Sequence, residues 1–329
     1  MFRVSAHVSR SLHRHGMFQR APSRFRRQLN KSSCPSLARR RKRATPFKEN
    51  HLVCLGVGSR GRRDADVTAV QWVEPGLVGL YREKSEFNGE VKVVENISDP
   101  DGKLPECFRD ARILLLGPQK SVGTHSVYKE SNVFTGSYWD ALAVLPGLCP
   151  EGPIGIYGLG SGTVARIVNK VYPEQKMLGF EIDPQVLDAS RLFMGLQEIE
   201  DSGMLECRVC DCLRMSEGSY ENAFAGIVVD LYLEDTLIDE IDLIETWEQM
   251  KKQLAPGGKI LANIGLMKTS VISSIFEVFK GEVLWNRVDA NGLTLMSVDP
   301  LDPNWENVPK ELHEYTKGWR AFDPSLIFG

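Results

Sequence analysis

IGIYGLGSGTVARIVNKVYPEQKMLGFEIDP, residues 154–184, decides how the rest of the chain is read. Its first four residues are an apolar run of strand length, which the glycines at 158, 160 and 162 then interrupt. Residues 163–171 carry a helical period, and 176–180 form a second apolar strand that ends in Glu181 and Asp183. Strand, glycine turn, helix and strand make one unit with a nucleotide-sized crevice at its mouth. Gly158, Gly160 and Gly162 supply positive φ and leave no side chain between backbone and ligand, and Glu181 stands where a carboxylate accepts from both hydroxyls of a ribose. Thr163 occupies the place of a dinucleotide loop's third glycine. The loop therefore points to a nucleoside of the S-adenosylmethionine type rather than to NAD.

Downstream, strand and helix alternate. Helices are expected at 185–196, 241–254 and 270–279 and strands at 205–209, 226–229, 259–264, 282–285 and 293–298, with Pro256-Gly257-Gly258 as a turn. This predicts an α/β fold: a Rossmann-like, doubly wound sheet of seven strands that closes on an antiparallel hairpin. Upstream, residues 64–134 hold the β-rich runs VTAVQWV, GLVGLY, EVKVV and ARILLLG, separated by Glu-Pro-Gly and Asn-Gly turns, and predict a small antiparallel β domain. Between the two, 136–148 reads as a helix with Tyr138, Trp139 and Asp140 in its first turn. Residues 136–300 form the nucleoside-binding domain, and 301–329 are a tail with no assigned place.

Residues 1–48 stand outside that core. They hold 14 of the 40 Lys and Arg, seven serines and no acid, the composition of an organelle transit peptide. A basic arm for nucleic acid, or a nuclear signal at the RRRKR of 39–43, is the plainer alternative. The leader is expected to address the chloroplast, with the mitochondrion as the second choice. The remaining residues carry 26 basic against 43 acidic side chains, a net charge of −17, whereas the whole chain is only −3. A surface that acidic repels phosphate backbones, so no nucleic-acid partner is expected and a cationic small molecule is favoured. No apolar run approaches a membrane span. The CRVCDC of 207–212 reads as small apolar residues on a strand, not as a metal site, since no second ligand pair of usable spacing exists.

In a doubly wound sheet the ligand lies outside the carboxyl ends of the strands. Three acids fall there: Glu181 for the ribose, Asp211 for the exocyclic amine of adenine, and Asp230 facing the reacting carbon and an incoming acceptor. Any one of them alone is better read as a helix cap; three in order beside a glycine loop read as a nucleoside site.

The order SYWD, GLGSG, FEID, CDC and VVD after a small β domain resembles the spermidine synthase family of aminopropyltransferases, within the S-adenosylmethionine-dependent methyltransferase superfamily. The resemblance covers roughly 67–298. It implies a sheet of the methyltransferase type, ribose at Glu181, adenine at Asp211, and Asp230 as the first acid of the family's catalytic Asp-x-x-Asp, with Tyr138 beside it. It also implies S-adenosylmethionine or its decarboxylated form as cofactor, a small-molecule acceptor, amines included, as partner, and a homodimer. Three positions depart from the family: Ser161 replaces the acid that would hold the aminopropyl amine, Leu233 the second Asp of the pair, and Trp139 the Gln of a Tyr-Gln pair. Each lost acid removes about 1.5–3 kcal/mol from a bound ammonium. The leading expectation is therefore a methyltransferase-like enzyme acting on a small, cationic acceptor, with Asp230 and Tyr138 catalytic and Gly158, Gly160, Ser161, Gly162, Glu181 and Asp211 on the cofactor. Aminopropyl transfer and a non-catalytic nucleoside-binding protein are the alternatives, and Glu234 and Asp235 are candidate substitutes for the missing second acid.

Overall fold

A computed structural model of the chain describes residues 73–74, 77–96, 106–117, 124–216, 218–233, 236–266 and 268–322. The leader of 1–48, the run VTAVQWV apart from Val73, and Glu234 and Asp235 lie outside them. Five short strands come first: β1 (Val73–Glu74), β2 (Leu77–Ser85), β3 (Gly89–Asn96), β4 (Arg112–Leu116) and β5 (Thr124–Tyr128). They pair antiparallel in the order of the chain. The β2–β3 hairpin turns through residues 86–88, and Gly89, paired with Ser85, takes φ +72°, the left-handed position that closes a three-residue hairpin loop.

Then follow α1 (Tyr138–Leu142), β6 (Ile154–Tyr157), α2 (Thr163–Val171), β7 (Met177–Glu181), α3 (Pro184–Phe193), α4 (Leu196–Asp201), β8 (Leu205–Val209) and β9 (Phe224–Val229). A two-stranded ribbon of β10 (Tyr232–Leu233) and β11 (Thr236–Leu237) leads to α5 (Ile244–Gln253), β12 (Leu254–Asn263), α6 (Thr269–Phe279), β13 (Val283–Val288), β14 (Asn291–Ser297) and β15 (Arg320–Ala321). The large sheet runs β15-β13-β14-β12-β9-β6-β7-β8. Strands β12, β9, β6, β7 and β8 are parallel, and β14, β13 and β15 join antiparallel. From β6 the chain winds one way through β7 to β8, then returns to β9 on the other side of β6, which places the topological switch point between the carboxyl ends of β6 and β9.

Both central strands are apolar along their whole length, IGIY and FAGIVV, because both faces of the sheet are covered. One face packs on α1, α2 and residues of the C-terminal segment (Ile154, Val164, Leu312). The other packs on α5 and α6, with Trp247 and Phe224 fully buried. The small sheet does not float free: Tyr81, Val91, Val93 and Leu114 share one cluster with Val186 and Ala189 of α3.

Four expectations change. The sheet has eight strands among the described residues rather than seven, because the C-terminal segment adds β15 along β13. The helix expected over 136–148 is α1 followed by a 3-10 turn, Leu145–Leu148, since Pro146 has no N–H to continue the ladder. The helix expected over 185–196 breaks at Gly195, whose φ of +67° sets α4 at a new angle. The helix expected from 241 begins at Ile244, after a 3-10 turn at Asp239–Asp242.

Candidate active site

The loop after β6 is fixed by backbone hydrogen bonds before any ligand contact arises. The N–H groups of Gly158 and Leu159 both donate to the Phe180 carbonyl, at 3.1 and 2.9 Å, and the Asp230 N–H donates to the Tyr157 carbonyl at 2.9 Å. This presses the loop against the end of β9. At Gly158 (φ +83°) a Cβ would lie 2.1 Å from the Asp230 carbonyl oxygen, so only glycine fits.

Glu181, at the end of β7, is buried and lines the cleft. Its Oε2 accepts from the Gly160 N–H at 2.9 Å and its Oε1 from the Asp183 N–H at 3.1 Å. Each oxygen thus keeps acceptor capacity for one ribose hydroxyl. Burial pushes the carboxyl up to about 7, against the pull of those two N–H groups.

Asp230, immediately after β9, lies between two donors. The Tyr138 hydroxyl donates to Oδ2 at 3.3 Å and the Asn263 amide to Oδ1 at 2.9 Å. Desolvation pushes this carboxyl to about 7 as well. The Asn263 oxygen accepts from the Gly265 N–H at 3.0 Å and pairs with the Tyr232 hydroxyl at 3.4 Å. Its orientation is thereby settled, and its NH₂ faces Asp230. The Asp230 carboxylate has no cationic partner among the described residues.

Asp211 follows β8 and lines the same cleft. It caps the 3-10 turn Cys212–Arg214 by accepting from the Leu213 N–H at 3.0 Å, and it pairs with Arg214 Nε at 3.1 Å. The capping role weighed from the sequence is real and coexists with a position on the cleft.

Ser161 and Gly162, expected on the cofactor, are not on the cleft wall, which Gly158, Leu159, Gly160, Thr163 and Val164 form. After Gly160 (φ +54°) the chain turns inward to start α2, so Ser161 is fully buried and takes a hydrogen bond from the Ser190 hydroxyl of α3 at 3.0 Å. The Cβ of any other residue at 162 would stand 2.7 Å from Leu196. Both residues shape the loop from behind.

Sequence reasoning missed the clamps between the two sheets. The Ser161 N–H donates to Ser126 Oγ at 3.0 Å, and Thr163 Oγ1 pairs with both backbone groups of Val127 at 3.2 Å. Thr163 stands in place of a third glycine because its hydroxyl ties α2 to β5. Arg166 donates to the carbonyls of Ser161, Val127 and Met194 at 2.6–2.8 Å. Asp183, fully buried, accepts from the Ser85 hydroxyl and from Asn88 Nδ2, the latter at 2.7 Å. That bond hangs the β2–β3 hairpin tip over the cleft beside Glu181.

No protein-family model matches the chain. Among curated proteins it is 27% identical over 190 residues to a probable polyamine aminopropyl transferase of Bifidobacterium longum, covering 57% of this chain and 41% of that one. It is 26% identical over 164 residues to a polyamine aminopropyltransferase of Chromobacterium violaceum, covering 48% and 61%. The chain thus spans about half the length of the curated relatives it matches. Among solved structures, spermidine synthase in complex with the transition-state analogue AdoDATO superposes with a TM-score of 0.52 at 17% identity, over 76% of this chain and 83% of that one. The Thermotoga maritima spermidine synthase gives 0.51 at 17% identity, over 76% and 82%. No candidate metal cluster occurs among the described residues, and none of their helices is long and apolar enough to cross a membrane. The chain has the Rossmann-like fold of spermidine synthase behind a small antiparallel sheet, and over about half its length it is similar in sequence to polyamine aminopropyltransferases.

Proposed function

We propose that the chain is an aminopropyltransferase that uses decarboxylated S-adenosylmethionine and an amine acceptor. One observation carries this over methyl transfer, the leading expectation from sequence. The described cleft wall offers carboxylates and almost no cation. Its acids include Glu86, Glu181, Asp211, Asp230 and Glu245, whereas Arg214 is its one Lys or Arg, already paired with Asp211 at 3.1 Å. A methyl donor keeps its amino-acid carboxylate, which such a wall repels. The decarboxylated donor presents only cationic groups, which it attracts. The two curated relatives support the same choice.

The residues present fit the nucleoside. Gly158 and Gly160 leave room for it, Glu181 receives the ribose hydroxyls, and Asp211 stands at the adenine end. When bound, the donor supplies an electrophilic carbon next to a sulfonium and leaves as neutral methylthioadenosine. Asp230 holds the acceptor ammonium and takes its proton, so that the free amine is presented in line. With its carboxyl at about 7, Asp230 is matched to that task near neutral pH. Tyr138 and Asn263 fix its two oxygens.

Calorimetry with the decarboxylated donor, S-adenosylmethionine and methylthioadenosine tests the reading, together with chromatographic detection of methylthioadenosine released in the presence of amines. Preference for the decarboxylated form and amine-dependent release are expected. Tighter binding of the carboxylated form, with methyl transfer, would overturn it. The organelle address of residues 1–48 is a separate proposal that rests on composition alone. Import of a 1–48 fusion into isolated chloroplasts tests it, and a fusion that stays outside refutes it.

A further inference from the structure

The cleft is larger than its assigned contents. Its volume is about 1780 Å³, whereas pockets for drug-sized ligands run to roughly 300–1,000 Å³. A nucleoside and a four-carbon diamine do not fill it. Beyond Asp230 its wall turns apolar, with Leu231, Leu233, Leu237, Ile238 and Leu243. Leu233 and Leu243 are 43% and 52% exposed, among the few large apolar side chains left open to water in the described chain. Five aliphatic side chains on one wall of a ligand cleft, two of them open to water, offer an apolar surface for a ligand to cover.

The charges on this wall argue against a second ammonium there. Asp239 lies 3.7 Å from Lys268 and Glu240 lies 3.9 Å from Arg214, so both already face cations of the chain itself. Glu245 is exposed and solvated. With Glu245 turned to solvent, Asp230 is the acid from here outward that lines the cleft without a cation among the described residues, and it stands at the start of the leucine wall. The complementary molecule has one ammonium and an apolar body.

We infer that the acceptor is a monoamine carrying an aryl or branched alkyl body, with its ammonium on Asp230 and its body along Leu231, Leu233 and Leu243. The inference deepens the aminopropyl-transfer reading, but it concerns binding and can be tested without turnover.

The probes are tyramine, as an aryl monoamine, and putrescine, as a diamine, each titrated calorimetrically into the full chain saturated with methylthioadenosine. Tyramine is expected to bind at least tenfold more tightly than putrescine. Leu233→Asp is expected to weaken tyramine about tenfold and to strengthen putrescine; Leu233→Met, which keeps an apolar wall, is expected to leave the preference unchanged. Putrescine binding as tightly as tyramine to the unaltered chain would overturn the inference. So would a concentration-dependent dimer that Leu233→Asp dissolves while neither amine binds, since the leucines would then belong to a second copy. Tyramine binding without any methylthioadenosine release from the decarboxylated donor would sink the reaction assigned above and leave this acceptor class standing.

Discussion

Replacing Asp230 by Asn should make the protein more stable and the enzyme inactive, and the stability gain should depend on pH in one direction. The side chain keeps its shape, and its oxygen can still accept from Asn263 Nδ2, now 2.9 Å from Oδ1. What is lost is a carboxylate whose affinity for a proton rises from 3.8 to about 7 on folding, mainly through desolvation. Between roughly pH 4 and 7 the unfolded chain has released this proton while the folded chain retains it. Stability therefore falls as pH rises through that window, and the cost levels off above it. At about 1.4 kcal/mol for each tenfold change in proton affinity, discounted for the side chain's partial access to water, the cost amounts to about 2–4 kcal/mol. Urea unfolding followed by tryptophan fluorescence at pH 5 and pH 8 should show roughly a third of that gain for Asp230→Asn at the lower pH and nearly all of it at the higher. Methylthioadenosine release should fall by about 10²–10⁴, the range for loss of a general base. A gain equal at both pH values, or activity within tenfold of the unaltered chain, would refute the account of Asp230.

Glu181→Gln should lower nucleoside affinity about 10²-fold by removing charge-assisted acceptors, measured by calorimetry with methylthioadenosine. In the unaltered chain that affinity should weaken below pH 7, up to tenfold for each unit, because the carboxyl titrates near 7 and the ribose hydroxyls favour its ionised form; a flat profile from pH 5.5 to 8 would remove Glu181 from the ribose. Asp183→Ala should cost about 2–4 kcal/mol in urea unfolding, since it orphans the donors of Ser85, Asn88 and Gln185, and a change below about 0.5 kcal/mol would show that the hairpin is held elsewhere. Ser161→Asp, which restores the family's acid, should lower stability by about 3 kcal/mol or more without tightening the donor, because the position is fully buried behind the loop. Tighter binding of the decarboxylated donor to Ser161→Asp would return that position to the cleft.

Local pattern made most of the fold legible. Apolar runs bounded by glycines located β6 and β9, and the acid at each strand end located Glu181 and Asp230, because a parallel sheet puts its ligands there by topology. Contacts that cross between distant segments stayed hidden. Asn263 is an unremarkable residue at the end of β12 until β9 lies beside it with Ala262 opposite Val229. Ser126 and Thr163 are 37 positions apart and carry no common motif, yet both clamp the glycine loop to β5. Ser161 misled for a related reason: its place in the motif was right, but the direction of its side chain depends on the turn at Gly160 and on Ser190, neither of which spacing alone expresses. The tail could not be placed because its anchors are distant in sequence: Leu312 in the core with Ile154 and Val164, Tyr315 on Asp140 at 3.3 Å, and β15 along β13.

Glu181 and Asp230 pose the same physical problem and reach the same answer. Each is set where water is scarce, each is driven to about 7 by that scarcity, and each has only neutral donors as partners. A lysine or arginine beside either would have stabilised the folded chain, yet it would also have filled the acceptor positions that a ribose or an ammonium needs. The empty cleft is therefore least stable in the pH range where both acids are ionised, and ligands that bind those acids stabilise the fold most strongly there. The shift in unfolding temperature produced by methylthioadenosine, which meets Glu181, should accordingly grow from pH 5.5 to pH 8; a shift that shrinks over that interval would mean that Glu181 does not meet the ribose.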